Sequence, residues 1–263
     1  MRVRIYCVSP PYRSERRTAI MTAYIRAEWR KLRKIQILGI SAGFLAISSF
    51  IGLGLYWENL SSIEDGTQPL VMWGQLTFYY SQLLCAPMMA IITALSVMPE
   101  FERKTVDMLK SNNVSIPRLL FAKILTTTVM IIPVQVCLWI IYMCASHVAG
   151  ISEYSYALQF LQWTVVSVLA AIPVLSVQIF LSVKTRSFSY SVGLSALGGI
   201  LGFVFIFVNE KLCNFYVYSF PMIALRSRAL HSMSMTELML MCAVSATYTV
   251  LFYMLSIMQL RKD

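Results

Sequence analysis

The sequence alternates long apolar runs with short polar ones, and that alternation restricts the chain to a membrane-spanning bundle. A helix needs about 20 apolar residues to cross the hydrocarbon core of a bilayer. Six runs reach that length, over 37–56, 73–97, 119–145, 157–183, 188–208 and 238–260. With 58% hydrophobic residues, 13% charged and a mean hydropathy of +0.67, the chain is read as an all-α integral membrane protein rather than a soluble globule. Pro87, Pro133 and Pro173 fall inside three of the runs. Bundled helices tolerate them because neighbouring helices re-satisfy the freed carbonyls.

The net charge of +10 is distributed by topology and not as a nucleic-acid surface. Of the 22 Lys and Arg residues, ten lie in 1–36, five in 98–123, two in 183–187 and two in 261–263. The connections 57–72 and 146–156 carry none. Basic residues collect on the cytoplasmic side of membrane proteins, so both termini and the stretch 98–117 are expected there. The basic excess then sets orientation and meets anionic lipid.

The stretch 98–117, MPEFERKTVDMLKSNNVSIP, is the dense polar run between the second and third apolar runs. Pro99 suits the first turn of a helix, where its missing N–H would be unpaired anyway. Glu100 and Glu102 would then lie near the positive end of the helix dipole. The expectation is a short surface helix over about 99–111; the alternative is a solvated connector.

Residues 1–20 are polar, basic and interrupted by Pro10 and Pro11, and are expected to be disordered and uncleaved. Met21 opens a more coherent element and is a second position at which translation would start. Over 21–36, Met21, Ile25, Trp29 and Leu32 recur at helical spacing, with Arg26, Arg30, Lys31, Arg33 and Lys34 on the remaining faces. That pattern reads as an amphipathic helix in the inner interface, Trp29 among head groups and the basic residues toward anionic lipid. The plainer reading is a basic flank that only fixes topology.

Gly39 and Gly43 form a GxxxG in the first run, and Gly198 and Gly202 another in the fifth. Small residues at that spacing let helices approach closely, within one chain or between two. The loop 209–236 is long for a connector and only half polar. Its stretch 215–225, which includes Phe220 and Pro221, is too apolar for water and too short to span. It reads as short helices dipping into the outer leaflet and broken at Pro221, or as an aromatic belt that steadies the last span. The six cysteines form no CxxC pair and read as packing residues; His147 and His231 are too scattered for a metal site.

There is no GxxxxGK[ST] phosphate loop or HExxH in the chain. Nor does an Asp, Glu, Lys or Arg lie deep in a span, since Lys123 and Glu237 sit near edges. Ion-coupled transporters keep such residues near the midplane. A membrane body driven by another protein is what this leaves.

The order of elements resembles the permease subunits of type-two ABC exporters: a basic interfacial helix, six spans, an acidic helix between spans two and three, and a dipping segment between five and six. The resemblance covers nearly the whole chain from Met21. Its most specific residues are EFERKTVDML, 100–109. They include an acidic start at Glu100, a second acid at Glu102, Thr105 five residues after Glu100, and Leu109. The family commonly has Gly before that Thr, where this chain has Lys104.

The resemblance implies that 37–263 is a permease domain whose helix at 99–111 couples to a cytosolic ATPase. Glu100, Glu102, Thr105 and Leu109 would make that contact. It implies ATP and Mg on the partner and no cofactor on this chain. It also implies a second permease chain, identical or paralogous, with Gly39, Gly43, Gly198 and Gly202 at the seam. The expected cargo is a hydrophobic or amphipathic peptide or drug, and the chain's size resembles the subgroup conferring self-protection against lantibiotics or bacitracin-like peptides. Two alternatives stand beside this: a non-transporting membrane scaffold or sensor subunit, and an integral enzyme, which the missing catalytic constellation disfavours.

Overall fold

The structure is a computed structural model that describes residues 13–64, 66–102, 108, 111–112, 114–151, 155–229 and 231–262. Among these every regular element is helical. Six helices are long and apolar enough to cross a membrane: Lys34–Glu58, Gln68–Glu102, Ile116–Val148, Tyr156–Thr185, Phe188–Val208 and Met235–Lys262. Each contains one of the apolar runs; Phe188–Val208 coincides with its run and the other five extend theirs by one to five residues at each end. They are spans one to six below.

Spans two and four form the middle of the bundle. Their apolar windows are 67% and 61% buried, against 6% for span six, which lies on the outside against span four. One half of the core is aromatic. Trp73 of span two stacks on Phe160 of span four at 4.6 Å, and Tyr142 of span three meets both rings edge-on. Offset and edge-to-face pairs each add about 0.5–1.5 kcal/mol beyond their burial. The other half is aliphatic, with Val97, Leu120, Ile124, Ile179 and Leu260 in contact.

Span two is not a plain α-helix. Tyr80–Leu84 is a π-helical turn, and Pro87 follows it one turn later. A π-turn inserts one residue into the helical ladder and occurs often at functional sites. Span one reaches span two through Gly52, whose missing Cβ lets the two backbones meet. A Cβ there would lie 2.4 Å from the Gln75 carbonyl oxygen and 2.9 Å from the Leu76 Cα.

Two boundaries differ from the sequence reading. The N-terminal helix runs Arg13–Lys31, not 21–36. No Pro or Gly interrupts it before Lys31, so it starts earlier. It ends at Leu32–Arg33 because Arg33 leaves the helical region, with φ −80° and ψ 71°, before span one begins at Lys34. The basic N-terminus is therefore helical from Arg13, and residues 1–12 lie outside the described residues. Pro99 does not start a helix; it lies inside span two, which continues to Glu102.

Gly52→Ala is expected to lower the melting temperature of the purified chain in detergent. Overpacking against rigid backbone typically costs about 1–3 kcal/mol. Gly39→Ala meets no atom within 4 Å and is expected to leave it unchanged or slightly higher. Equal shifts for the two variants in a thermal-unfolding assay would contradict the packing described.

Candidate functional site

The N-terminal helix turns Tyr24, Ile25, Glu28, Trp29 and Leu32 toward the bundle and leaves Arg26 and Arg30 exposed. Glu28 of this helix is almost fully buried. Opposite it stands Lys123, two turns into span three and equally buried. Their ion pair measures 2.6 Å. Lys123 also pairs with Glu100 of span two at 3.0 Å and donates to the Ser96 carbonyl at 3.0 Å. Lys31 closes the ring, 2.7 Å from Glu28 and 3.1 Å from Glu100.

Two carboxylates and two ammonium groups thus cancel inside one cluster that joins three elements. Desolvating the charges costs several kcal/mol per ion, so the cluster persists because each buried charge has two opposite partners. Burial pushes the Glu28 carboxyl upward, but Lys123 and Lys31 more than offset it and hold the group below its ordinary value of 4.5. Burial likewise disfavours the Lys31 ammonium, and Glu28 and Glu100 outweigh that and raise it. Two further bonds fix the same end. The Ser115 N–H donates to the Tyr24 hydroxyl at 3.0 Å, and the Tyr253 hydroxyl of span six donates to the Pro117 carbonyl at 2.8 Å. A cleft of about 210 Å³ opens beside the cluster, lined by Lys31, Arg33, Ser96, Pro99 and Glu100 among others.

The residues expected at the ATPase contact separate here. Glu100 is buried and paired within the chain, so its carboxylate is not presented to a partner. Glu102 is exposed at the last turn of span two. Thr105 and Leu109 lie outside the described residues. Met108 is exposed and accepts from the Asn112 N–H at 3.1 Å, one helical turn. Trp29 packs against the core and carries the Lys34 ammonium 4.5 Å above its ring; Arg30, Lys31 and Arg33 reach the surface.

The glycines also separate. Gly39 and Gly43 face outward with no atom of the chain near them. Gly198 and Gly202 face the chain's own segment between spans five and six: the Tyr218 ring lies on Gly198, and Ser219 with Tyr216 lies on Gly202. Gly198 is the middle residue of span five, so that segment enters to mid-span depth. It holds the short helix Glu210–Cys213, the turn Val217–Ser219 and the helix Phe220–Leu225. Pro221 sits in the first turn of the last of these and does not break it. Phe220 is fully buried. Trp73 donates its indole N–H to the Leu225 carbonyl at 2.8 Å, and Arg226 pairs with Glu237 of span six at 3.2 Å.

The profile of the ABC-2 family transporter proteins matches residues 24–202. The chain belongs to the ABC-2 transporter family. It is thus a multi-pass membrane permease subunit of an ABC transporter, and the family works with an ABC ATPase. No curated protein and no solved structure matches the chain. The matched region of this ABC-2 permease includes Glu28, Lys31, Glu100 and Lys123. Glu28 was not singled out from the sequence, and Lys123 was noted there only as a charge near the edge of a span. Among the described residues no group of three His, Cys, Asp or Glu side chains is placed to hold a metal.

Lys123→Met leaves two buried carboxylates with only Lys31 between them, and is expected to cost about 3–5 kcal/mol of stability. Adding Glu28→Gln to Lys123→Met is expected to restore part of it, whereas Lys31→Met alone, at the exposed rim, costs far less. Thermal unfolding of the three variants checks the order. The depressed Glu28 group contributes stability that is complete above its unfolded value of 4.5. That contribution is lost as pH falls through the lower folded value. A Glu28→Gln variant should therefore lose less stability than wild type between about pH 5 and 3.

Proposed function

We propose that this permease exports a hydrophobic or amphipathic peptide or drug, driven by ATP hydrolysis on a separate ATPase chain. The observation that carries the coupling is the ion cluster. It joins the N-terminal helix to the ends of spans two and three, the two ends that flank the segment 103–115. A push on that segment would be delivered to all three elements together. On this reading Glu102, Thr105 and Leu109 meet the ATPase, and Glu100 holds the lever to the bundle from inside. The basic end faces the cytoplasm, with the N-terminal helix in the inner interface. Two permease chains pair through the open faces of Gly39 and Gly43. Protection of a producing cell against lantibiotic-like peptides is the use that the chain's size favours.

The apolar lining of spans one and three supports a lipophilic cargo. A groove of about 490 Å³ runs between them, with a mostly apolar lining that includes Leu45, Val134 and Ile141 beside Ser41 and Cys137. ATP hydrolysis by the complex of this chain with its ATPase, reconstituted in lipid nanodiscs, tests the coupling. Glu102→Ala should keep the permease folded and weaken peptide-stimulated hydrolysis. Glu100→Ala should lower both stability and coupling. Normal coupling in the Glu102→Ala variant would move the contact elsewhere, and no ATPase binding at all would favour a scaffold or sensor subunit.

A further inference from the structure

At the end of the bundle opposite the ion cluster, the inserted segment and the start of span six frame a cavity of about 240 Å³. Its polar lining includes Arg226, Arg228, His231 and Glu237, and its apolar wall includes Met222 and Ile223. Arg226 is almost fully buried. Its guanidinium donates to the His231 and Ser232 carbonyls at 2.9 and 3.4 Å and to Glu237 at 3.2 Å. That uses three of the five N–H groups of a guanidinium and leaves one on each terminal nitrogen. Glu237 is met by Arg226 and by the Ser234 N–H at 3.1 Å. Arg228 is exposed and has neither a hydrogen bond nor an ion pair among the described residues. Two arginines thus share one carboxylate, and the surplus positive charge rests on Arg228.

That charge is unusual for this end of the bundle. The connections 57–72 and 146–156 at the same end hold no Lys or Arg, whereas 209–236 holds Lys211, Arg226 and Arg228. Basic residues that only set orientation collect at the other end. Arg226 has a structural use, since it fastens the inserted segment to span six. Arg228 has no such partner, so its charge is open to a ligand. The planar fork of a guanidinium matches phosphate and carboxylate oxygens. Where a span ends, the anion within reach is a lipid phosphate. The apolar wall favours that source. Met222 and Ile223 belong to one apolar cluster with Ile206 and Phe203 of span five, and Phe207 and Val208 lie exposed at the last turn of that span. A charged recess beside an exposed apolar strip fits a head group together with its acyl chains; a free anion would need only the recess.

We propose that this cavity binds the phosphate of an anionic phospholipid, held by Arg228 and the two remaining N–H groups of Arg226, with the acyl chains along the exposed end of span five. The bound lipid braces the inserted segment against span six, where Arg226 and Glu237 already join the two.

Native mass spectrometry of the purified full-length chain, released from detergent and titrated with phosphatidylglycerol, tests the site. Wild type is expected to hold one more phosphatidylglycerol than Arg228→Gln at equal lipid concentration, because the variant binds that lipid about tenfold more weakly, the worth of one charge-assisted hydrogen bond. Arg228 is exposed, so the variant keeps its fold, which an unchanged melting temperature of the lipid-free chain verifies. Phosphatidylcholine, whose head group has no net charge, is not expected to take the place of that lipid. Equal retention of phosphatidylglycerol by the two chains, or equal binding of phosphatidylcholine at the site, overturns the proposal. Inorganic phosphate separates the two sources of the anion. If it raises the melting temperature of wild type and not of Arg228→Gln, while lipid retention does not differ, the occupant is a free anion and the lipid assignment falls.

Discussion

A buried ammonium group must be paired, and in this permease the pairing of Lys123 determines how one end of the bundle is assembled. Span three carries the charge inward, where protein surrounds it. Only carboxylates brought from two other elements keep it there. Glu28 comes from a helix outside the membrane spans and Glu100 from the last turn of span two. The N-terminal helix cannot drift from the bundle without breaking the Glu28–Lys123 and Lys31–Glu100 pairs. Span two is likewise held helical past Pro99, because Glu100 must reach Lys123.

The opposite end is organised by a different constraint. Backbone that enters the membrane without forming a span has to satisfy its polar groups inside the protein. The segment between spans five and six, packed against the middle of span five, satisfies its own piece by piece. Leu225 accepts from Trp73, Tyr216 donates to Gly198, and Arg226, held in the left-handed region at φ 52°, donates to the His231 carbonyl and pairs with Glu237. Glu237 in turn accepts from the Ser234 N–H while its own N–H donates to the Ser234 hydroxyl, a reciprocal cap on span six. Glycines 198 and 202 are small because this segment lies against both, joined at Gly202 by Gln82 of span two.

Much of this was legible in the residues. The six spans follow from apolar length alone, and each run lies inside its helix. The inserted segment was legible because its apolar stretch is too short to span and too greasy for water. Pro99 was misread because local preference favours proline at a helix start, while the tertiary pull on Glu100 was invisible from one sequence. The pairing of Glu100 was hidden for the same reason: an acid near the end of a span looks free until its partners on other elements are known. The outward face of Gly39 and Gly43 and the inward face of Gly198 and Gly202 share one spacing. Only the packing separates them.

The central claim is that the ion cluster makes the N-terminal helix one body with spans two and three. A spin-label distance between Ala27 on the exposed side of that helix and Phe121 on span three measures this directly, in the full chain in nanodiscs. The account predicts a single narrow distance distribution in the wild-type background and a broad one when Lys123 is replaced by Met. A narrow, unshifted distribution in the Lys123→Met chain would show that apolar packing alone holds the helix, and would contradict the account.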